Sequence, residues 1–245
     1  YETSRALHPY IRNVAASDNP YWWKGWGGYR KRSDIGRGDE GRRIRFEFDG
    51  VQKYSKIYLN GKYLGDHKGG FTSFYVDATD AVNFGGENIL TVAVQNSLDD
   101  KYRIPPMNAG NWAVYGGIIR DVRLTIPDPV SIPFQGSYKH EGGTFITTPV
   151  RFRTYVQNQR PESAEVTLRT VVSDAGGNVC ERLNASQRID AGQIAEFDQS
   201  IPKFRNPQLW SPDSPYLYNA YSEVYVGKKL VDTYHSTFGI RSISW

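Results

Sequence analysis

The sequence contains only one cysteine and one methionine among 245 residues. It also has no long apolar run. Cys180 alone forms neither an internal disulfide nor a cysteine-based zinc site, so the fold must depend on a hydrophobic core. No segment approaches the roughly 20 consecutive apolar residues that a membrane-spanning helix needs. We therefore expect no membrane partner. No residue fixes the compartment, and a bacterial periplasmic or secreted location is only a guess.

The chain also lacks the patterns that hold metal ions or nucleotides. Its histidines, His8, His67, His140 and His235, are scattered and do not form the paired spacing of metal ligands. The segment Gly25-Trp26-Gly27-Gly28 lacks the lysine of a phosphate-binding loop, and we interpret it as a turn between aromatic residues. We predict no metal and no other cofactor.

Arginine is frequent in the first fifty residues, and the formal net charge is +4 at pH 7. Such a cluster is one feature of nucleic-acid-binding proteins. Charged and apolar residues alternate along Arg43–Asp49, however, which predicts a half-buried strand with its charges, including Arg45, on the solvent face. No helix-turn-helix or zinc-finger pattern accompanies the cluster, so we predict no nucleic-acid partner.

Alternation with a period of two recurs along the whole chain and predicts an all-β fold with almost no helix. Asn60-Gly61 lies between the runs Lys56–Leu59 and Lys62–Leu64, and it favours a type I′ hairpin because both residues tolerate positive φ. Pro127-Asp128-Pro129 can continue neither a ladder nor a helix, so it predicts a domain boundary. About seven short strands follow, which is the strand density of an immunoglobulin-like sandwich.

The inward-facing residues of these strands should form one hydrophobic core in each domain. The expected core residues of the first domain are Phe46, Phe48, Ile57, Leu59, Leu90, Val92 and Val94. Those of the second are Val150, Phe152, Val166, Leu168, Trp210 and Val224.

Several strings of specific residues occur in a fixed order in the first half of the chain. They are Gly28–Arg32, Ile44–Val51, Ile57–Gly61, Leu64–His67, Gly69–Phe71, Gly86–Leu90 and Gly116–Val122. Together they resemble the N-terminal sugar-binding-like domain of glycoside hydrolase family 2, the β-galactosidase and β-glucuronidase family. The resemblance implies a jelly-roll, galactose-binding-like β-sandwich over residues 1–127.

The second half carries three further strings, Leu209–Pro212, Pro215–Tyr218 and Phe238–Arg241. They are similar to the immunoglobulin-like domain of the same family, which implies an immunoglobulin-like sandwich over residues 128–241. In the family the catalytic (β/α)₈ barrel begins directly after this domain. The resemblance thus implies that residues 242–245 are the start of a barrel that this chain lacks.

Glycoside hydrolysis uses two carboxyl groups about 5 to 9 Å apart. In the family both are glutamates of the barrel, so the resemblance implies no catalytic residue here. We expect the parent protein to be a glycoside hydrolase that cleaves O-glycosidic bonds, with this chain supporting the barrel and shaping its sugar pocket. Alone, the chain should be inactive. The alternative is a stand-alone carbohydrate-binding or adhesion module.

Two segments combine aromatic and polar residues as a sugar contact requires, because sugars offer C–H faces to rings and hydroxyls to hydrogen-bonding groups. Trp26 lies close to Tyr21-Trp22-Trp23 in the first segment, where core packing or docking is the alternative role. The second is Asn111-Trp112. In β-galactosidase-like members the position of Asn111 is often an aspartate that reaches the sugar pocket. We expect Asn111, Trp112 and Trp26 to contact substrate, and loop structuring is the alternative role for Asn111.

The exit end of the second domain carries apolar residues that we expect to dock on the barrel. They are Phe238, Ile240, Ile243 and Trp245. Without the barrel they would leave an apolar patch of a kind that monomers rarely expose. The expected partners are therefore a carbohydrate, bound through the parent enzyme, and the parent's own barrel.

Overall fold

The computed structural model describes residues 6–7, 25–97, 104, 116–134, 143–147 and 150–241. The chain divides into two compact units, Tyr1–Ile126 and Pro127–Trp245. The division falls at the first residue of Pro127-Asp128-Pro129. Within the described residues the only helical segments are two 3₁₀ turns, so the predicted all-β fold is confirmed. No helix in those residues is long and apolar enough to span a membrane.

The first unit is built from short antiparallel strands. They are β1 (Ala6–Leu7), β2 (Trp26–Ile35), β3 (Arg45–Phe48), β4 (Val51–Gln52), β5 (Tyr54–Leu59), β6 (Lys62–Lys68), β7 (Phe74–Asp77), β8 (Gly86–Gln95), β9 (Gly117–Ile118) and β10 (Val122–Thr125), with 3₁₀ turns at Arg37–Asp39 and Thr79–Ala81. A four-stranded sheet has the order β2-β8-β5-β6, and two three-stranded sheets have the orders β10-β3-β7 and β1-β9-β4.

The core of the first unit lies between the inner faces of these sheets. All seven predicted core residues are buried there. The rings of Phe48 and Phe74 stack with centroids 4.7 Å apart. Burial of each such side chain contributes about 1.5 to 3 kcal/mol relative to leaving it exposed.

The hairpin between β5 and β6 has the predicted geometry, because φ is positive at both Asn60 (52°) and Gly61 (81°). The Asn60 side chain also ties the turn to its neighbours. Its amide nitrogen donates to the carbonyl of Ala81 at 2.8 Å and its oxygen accepts from the amide of Ile89 at 2.9 Å. The turn is therefore fixed both by local conformation and by strand β8.

The second unit contains two further four-stranded sheets. Its strands are β11 (Val130–Ser131), β12 (Thr144–Thr147), β13 (Arg151–Asn158), β14 (Ala164–Ser173), β15 (Val179–Ile189), β16 (Ile194–Ser200), β17 (Tyr218–Val226) and β18 (Lys229–Phe238). One sheet has the order β15-β14-β17-β18, and in the other β13 pairs with β11, β12 and β16. Of the predicted core residues, Val150, Phe152, Val166, Leu168 and Val224 are buried.

Trp210 does not belong to that core, and the prediction for it is wrong. It is only half-buried and lies in an irregular segment that a bridge between Leu209 and Ile240 holds against the exit strand. Its ring covers Gly239, where an added Cβ would lie 2.9 Å from the Trp210 side chain. The Arg241 guanidinium caps the ring at 5.1 Å. The indole thus packs over the backbone of the exit instead of between the sheets.

Two other expectations fail in the first unit. Gly25-Trp26-Gly27-Gly28 is not a turn, because Trp26 and both following glycines begin β2 and pair with β8. Arg45 is not on the solvent face, since only 5% of it is exposed and its guanidinium lies 5.1 Å from the centre of the Tyr75 ring. Arg45 belongs to the central strand β3, so side chains of neighbouring strands cover it. In both cases pairing with distant strands overrides the local pattern.

Buried hydroxyl groups offer a test of the core. Ser55 is fully buried, and its Oγ makes no hydrogen bond within the described part of the chain. Ser55→Ala should raise the free energy of unfolding by about 1 kcal/mol, because it removes an unsatisfied polar group. The change is measured by urea denaturation.

Thr170 provides the matched control in the second unit, because its buried hydroxyl donates to Gln199 Oε1 at 2.6 Å. Thr170→Val should lower the free energy of unfolding by about 1 to 3 kcal/mol, since it leaves the Gln199 oxygen without a donor. Destabilisation of similar size by both substitutions would contradict the assignment of Ser55 as unsatisfied.

Candidate functional site

Trp26, a predicted sugar contact, is the first residue of β2 and lies opposite Gln95 of β8. Its side chain is 42% exposed, so it is a surface residue. The indole meets the Tyr54 ring edge-on, with centroids 5.8 Å apart, and the Lys56 ammonium lies 5.6 Å from the indole centre. The structure thus presents an exposed ring flanked by an aromatic and a cationic side chain.

A group of buried polar residues, here called the polar end, lies where β4, β5 and β8 meet. Its members are Gln52, Lys53, Gln95 and Asn96, each no more than 8% exposed. The Lys53 amide donates to the Gln95 carbonyl at 3.1 Å. Gln95 Oε1 accepts from the amide of Ser97 at 2.8 Å and from its hydroxyl at 3.0 Å. These bonds hold the end of β8 in one position.

Asn96 connects this polar end to the start of β2. Its side-chain Oδ1 accepts a hydrogen bond from the Gly25 backbone N–H at 2.9 Å, and its backbone N–H donates to the Gly25 carbonyl at 3.3 Å. An added Cβ at Gly116 would lie 2.3 Å from Asn96 Cβ, so position 116 has room only for glycine. The chain therefore leaves the polar end after Ser97 and returns to it at Gly116.

The other predicted sugar contacts, Asn111 and Trp112, lie outside the described residues, as do Tyr21, Trp22 and Trp23. Asn111 and Trp112 belong to the segment between residues 97 and 116, whose two flanking residues meet at the polar end. The sequence analysis did not identify the contact between Asn96 and Gly116. The pattern that could have indicated it is a polar residue directly after one strand together with a glycine directly before another.

Two carboxylates of the first unit, Asp49 and Asp77, have structural roles. Asp49 accepts two hydrogen bonds from Arg123, at 2.7 and 2.5 Å. Asp77 accepts from Arg43 at 3.0 Å, and both the amide and the hydroxyl of Thr79 donate to it. Both carboxylates are thus engaged by neighbouring side chains and backbone groups of the first unit.

Burial raises the pKa of Glu47, although Thr125 donates to it at 2.9 Å. Glu47 lies opposite Arg123 in the β3–β10 register, beside the Arg123–Asp49 pair. The carboxylate that acts on Glu47, that of Asp49, is itself bound by Arg123.

An apolar cavity of about 240 Å³ opens between the edge strands β2 and β10. Phe46, Leu90 and Leu124 are among its lining residues, with the hydroxyl-bearing Tyr29 and Ser33. Burial raises the pKa of Tyr29 to about 12, so this phenol stays neutral. Arg30 and Lys31 also border the cavity, but its lining is mainly apolar, which does not suit sugar hydroxyls.

His67 lies flat against Phe74, with ring centroids 4.1 Å apart. Burial lowers the pKa of its imidazole, although a backbone hydrogen bond to Gly69 acts in the opposite direction. The packed site therefore disfavours the charged ring relative to a histidine in water. Among the described residues no group of three His, Cys, Asp or Glu is arranged to hold a metal ion.

The residues predicted to dock on a barrel are partly used by their own unit. Phe238 packs edge-on against Phe152 at 5.7 Å and stacks on Tyr218 at 5.6 Å. Ile240 also packs on this cluster and is half-buried. The more exposed apolar residue at the exit is Leu209, at 57%, which the sequence analysis did not single out for docking. Trp245 and Ile243 lie outside the described residues.

Two sequence models of one family match the chain. "Glycosyl hydrolases family 2, sugar binding domain" matches residues 10–127, and "Glycosyl hydrolases family 2" matches residues 146–241. Among curated relatives, a β-glucuronidase of Formosa agariphila is 32% identical over 91% of this chain and 24% of that protein. The β-galactosidase BoGH2A of Bacteroides ovatus is 30% identical over 90% of this chain and 25% of that protein.

The solved structures that this chain resembles carry similar names. A β-glucuronidase from glycoside hydrolase family 2 superposes with a TM-score of 0.82 at 31% identity, over 92% of this chain and 25% of that one. A putative β-galactosidase from Bacteroides fragilis gives a TM-score of 0.80 at 27% identity, over 90% and 33%. The chain thus spans about a quarter to a third of the length of these relatives.

The packing of His67 predicts a pH-dependent stability. Because its pKa in the folded chain is below the ordinary value of 6.5, the unfolded chain binds more protons near and below that pH. Stability should therefore fall as the pH is lowered through 6.5. His67→Gln should reduce this dependence, measured as the change in Tm between pH 7.5 and pH 5.5.

The exposed His235 supplies the control for this experiment. The same measurement on His235→Gln, in the other unit, shows how much of any change comes from replacing a histidine as such. An equal effect of the two substitutions would show that the packing of His67 is not its cause.

Proposed function

The chain belongs to glycosyl hydrolases family 2, and from this we propose that it is the non-catalytic N-terminal part of a hydrolase of O-glycosidic bonds. The observation that carries the proposal is coverage, because relatives match about nine-tenths of this chain and only about a quarter of their own length. The names of these relatives, β-glucuronidase and β-galactosidase, favour a β-linked hexose or hexuronide as substrate. The sugar-binding family model supports contact with carbohydrate.

In this proposal the first unit shapes the rim of the sugar pocket. Support comes from the polar end, where Asn96 and Gly116 hold together the two ends of the segment that carries Asn111 and Trp112. Asn111 and Trp112 would contact the sugar from this segment, with Trp26 close to the polar end at the start of β2.

The second unit would support the barrel through its exit end. Phe238 and Ile240 hold the last strand in the unit's own core, while the exposed Leu209 beside them offers apolar surface. Trp245 would belong to the same contact, and residues 242–245 would begin the barrel. A partner domain that covers Leu209 would remove exposed apolar area, which favours docking.

The isolated chain should not hydrolyse glycosides, because the carboxylates described above are bound to arginine, threonine or backbone groups. We expect no turnover of nitrophenyl β-galactoside or nitrophenyl β-glucuronide above a mock preparation. The assay is release of nitrophenol by the purified 245-residue chain. Turnover that follows the protein through purification would contradict the non-catalytic assignment.

Asn111→Ala tests the pocket assignment in a longer gene product that includes a catalytic barrel. Loss of one sugar hydrogen bond of about 1.4 kcal/mol should lower kcat/KM about tenfold and leave Tm unchanged. Asn184→Ala, on the exposed surface of β15, is the matched control and should change neither quantity. A fall in Tm with unchanged kcat/KM would assign Asn111 to loop structure instead.

A further inference from the structure

The outer face of the β2-β8-β5-β6 sheet carries an unusual group of side chains. Leu90, Val92 and Val94 of β8 point into the core, so Thr91, Ala93 and Gln95 point outward. The strand register extends this outer face across the sheet. It places Trp26, Tyr54 and Lys68 beside Gln95, Gly28, Lys56 and Asp66 beside Ala93, and Arg30, Tyr58 and Tyr63 beside Thr91.

Rings lie at two opposite corners of this face. At one corner Trp26 meets Tyr54 edge-on, and at the other Tyr58 and Tyr63 have centroids 5.4 Å apart. Trp26 is 42% and Tyr63 is 50% exposed. Small residues lie between the corners, and no atom comes within 4 Å of the Cβ position at Gly28. The face is therefore a shallow floor with aromatic residues at both ends.

Three cationic side chains lie on the same floor. The Lys56 ammonium is 5.6 Å from the Trp26 ring centre, the Lys68 ammonium is 5.9 Å from the Tyr54 ring centre, and Arg30 is exposed. None of the three forms an ion pair within the described part of the chain. Their charges are therefore available to an anion.

The acidic residues of this face have partners of their own. Asp66 accepts a hydrogen bond from the Tyr63 hydroxyl at 2.9 Å, although it lies opposite Lys56 in the register. Glu87 lies 3.4 Å from Arg32, toward the far end of the sheet. The central part of the face thus combines apolar rings with positive charge and little competing negative charge.

We propose that this aromatic–cationic face, made of Trp26, Arg30, Lys56, Tyr58, Tyr63 and Lys68 beside the buried ring of Tyr54, binds an acidic oligosaccharide whose sugar units carry carboxylates. The rings take the C–H faces of the sugars, and the cations pair with the carboxylates. Three strand spacings and four residues of rise separate Trp26 from Tyr63, which places them about 20 Å apart. This exceeds the width of one sugar ring, so the ligand is a chain of several units.

Charge complementarity selects this ligand over the alternatives. A neutral oligosaccharide would leave three cations without partners. A single-stranded nucleic acid needs a continuous positively charged groove along its backbone, and Asp66 and Glu87 interrupt the positive charge of this face. The outer face of the β15-β14-β17-β18 sheet is a useful contrast, because Tyr221 is 44% exposed there but the nearby Arg169 is already paired with Glu223.

This inference goes beyond the proposed function, since the face belongs to one unit and requires no barrel. Binding is therefore measured on the 245-residue chain by isothermal titration with hexagalacturonate. The matched probe is the same hexasaccharide with its carboxyl groups reduced to alcohols. We expect at least tenfold tighter binding of the acidic form, and an affinity that falls as sodium chloride is raised.

Variants localise the binding. Trp26→Ala and Lys56→Gln should each weaken hexagalacturonate binding at least fivefold, and Tyr63→Ala should do so at the opposite corner. Tyr221→Ala removes a ring of similar exposure from the second unit and should leave binding unchanged. Thermal unfolding of each variant checks that the chain remains folded, and Lys56→Gln keeps the length of the stem if the alanine variants are unstable.

Three results would overturn the proposal. They are no binding of hexagalacturonate at millimolar concentration, equal binding by the Trp26→Ala and Tyr63→Ala double variant, and equal affinity for hexaglutamate or a DNA hexanucleotide. The last result would indicate attraction by charge alone. None of them bears on the hydrolase assignment, which depends on turnover and on the longer gene product.

Discussion

The position of strand β8 is the constraint on which the first unit depends. It pairs with β2 on one side and β5 on the other, so it is the internal strand that fixes the register of both. Its inner residues fill the core, and its outer residues form the floor between Trp26 and Tyr63. Its end, at Gln95 and Asn96, anchors the polar end. Core, surface and loop base therefore share one ladder of backbone hydrogen bonds.

Because buried and exposed residues share this ladder, the stability of the strands also fixes the positions of their exposed side chains. Each buried side chain of β8 contributes on the order of 1.5 to 3 kcal/mol, which holds the strand in its register far more strongly than any exposed contact does. The exposed rings and lysines need no strong contacts of their own to be in position. A binding face can then be composed of residues such as Lys56 and Lys68, whose charges are left unpaired at little loss of stability.

Sequence reasoning succeeded where a residue's environment follows from its immediate neighbours. Alternation identified Phe48 and Val94 as core residues, and the backbone freedom of Asn60-Gly61 identified the hairpin. It failed for Arg45, Trp210 and the glycines before Tyr29, because their environments depend on strands more than twenty residues away. The aromatic–cationic face was missed for the same reason, since only pairing brings Trp26 and Lys56 together.

The irregularity between Ile57 and Tyr58 sets the orientation of the far corner of that face. There the β5–β6 ladder shifts register, so that Tyr63 lies opposite Tyr58 while Gly65 lies opposite Ile57. Leu64 is the extra residue of this bulge. It shifts the alternation of β6 by one residue, so that both Tyr63 and Asp66 lie on the outer face. The same amino-acid sequence in a regular ladder, without the bulge, would place different side chains on the outer face. Related chains that share this face should thus be recognised by their strand register, which residue identity alone does not reveal.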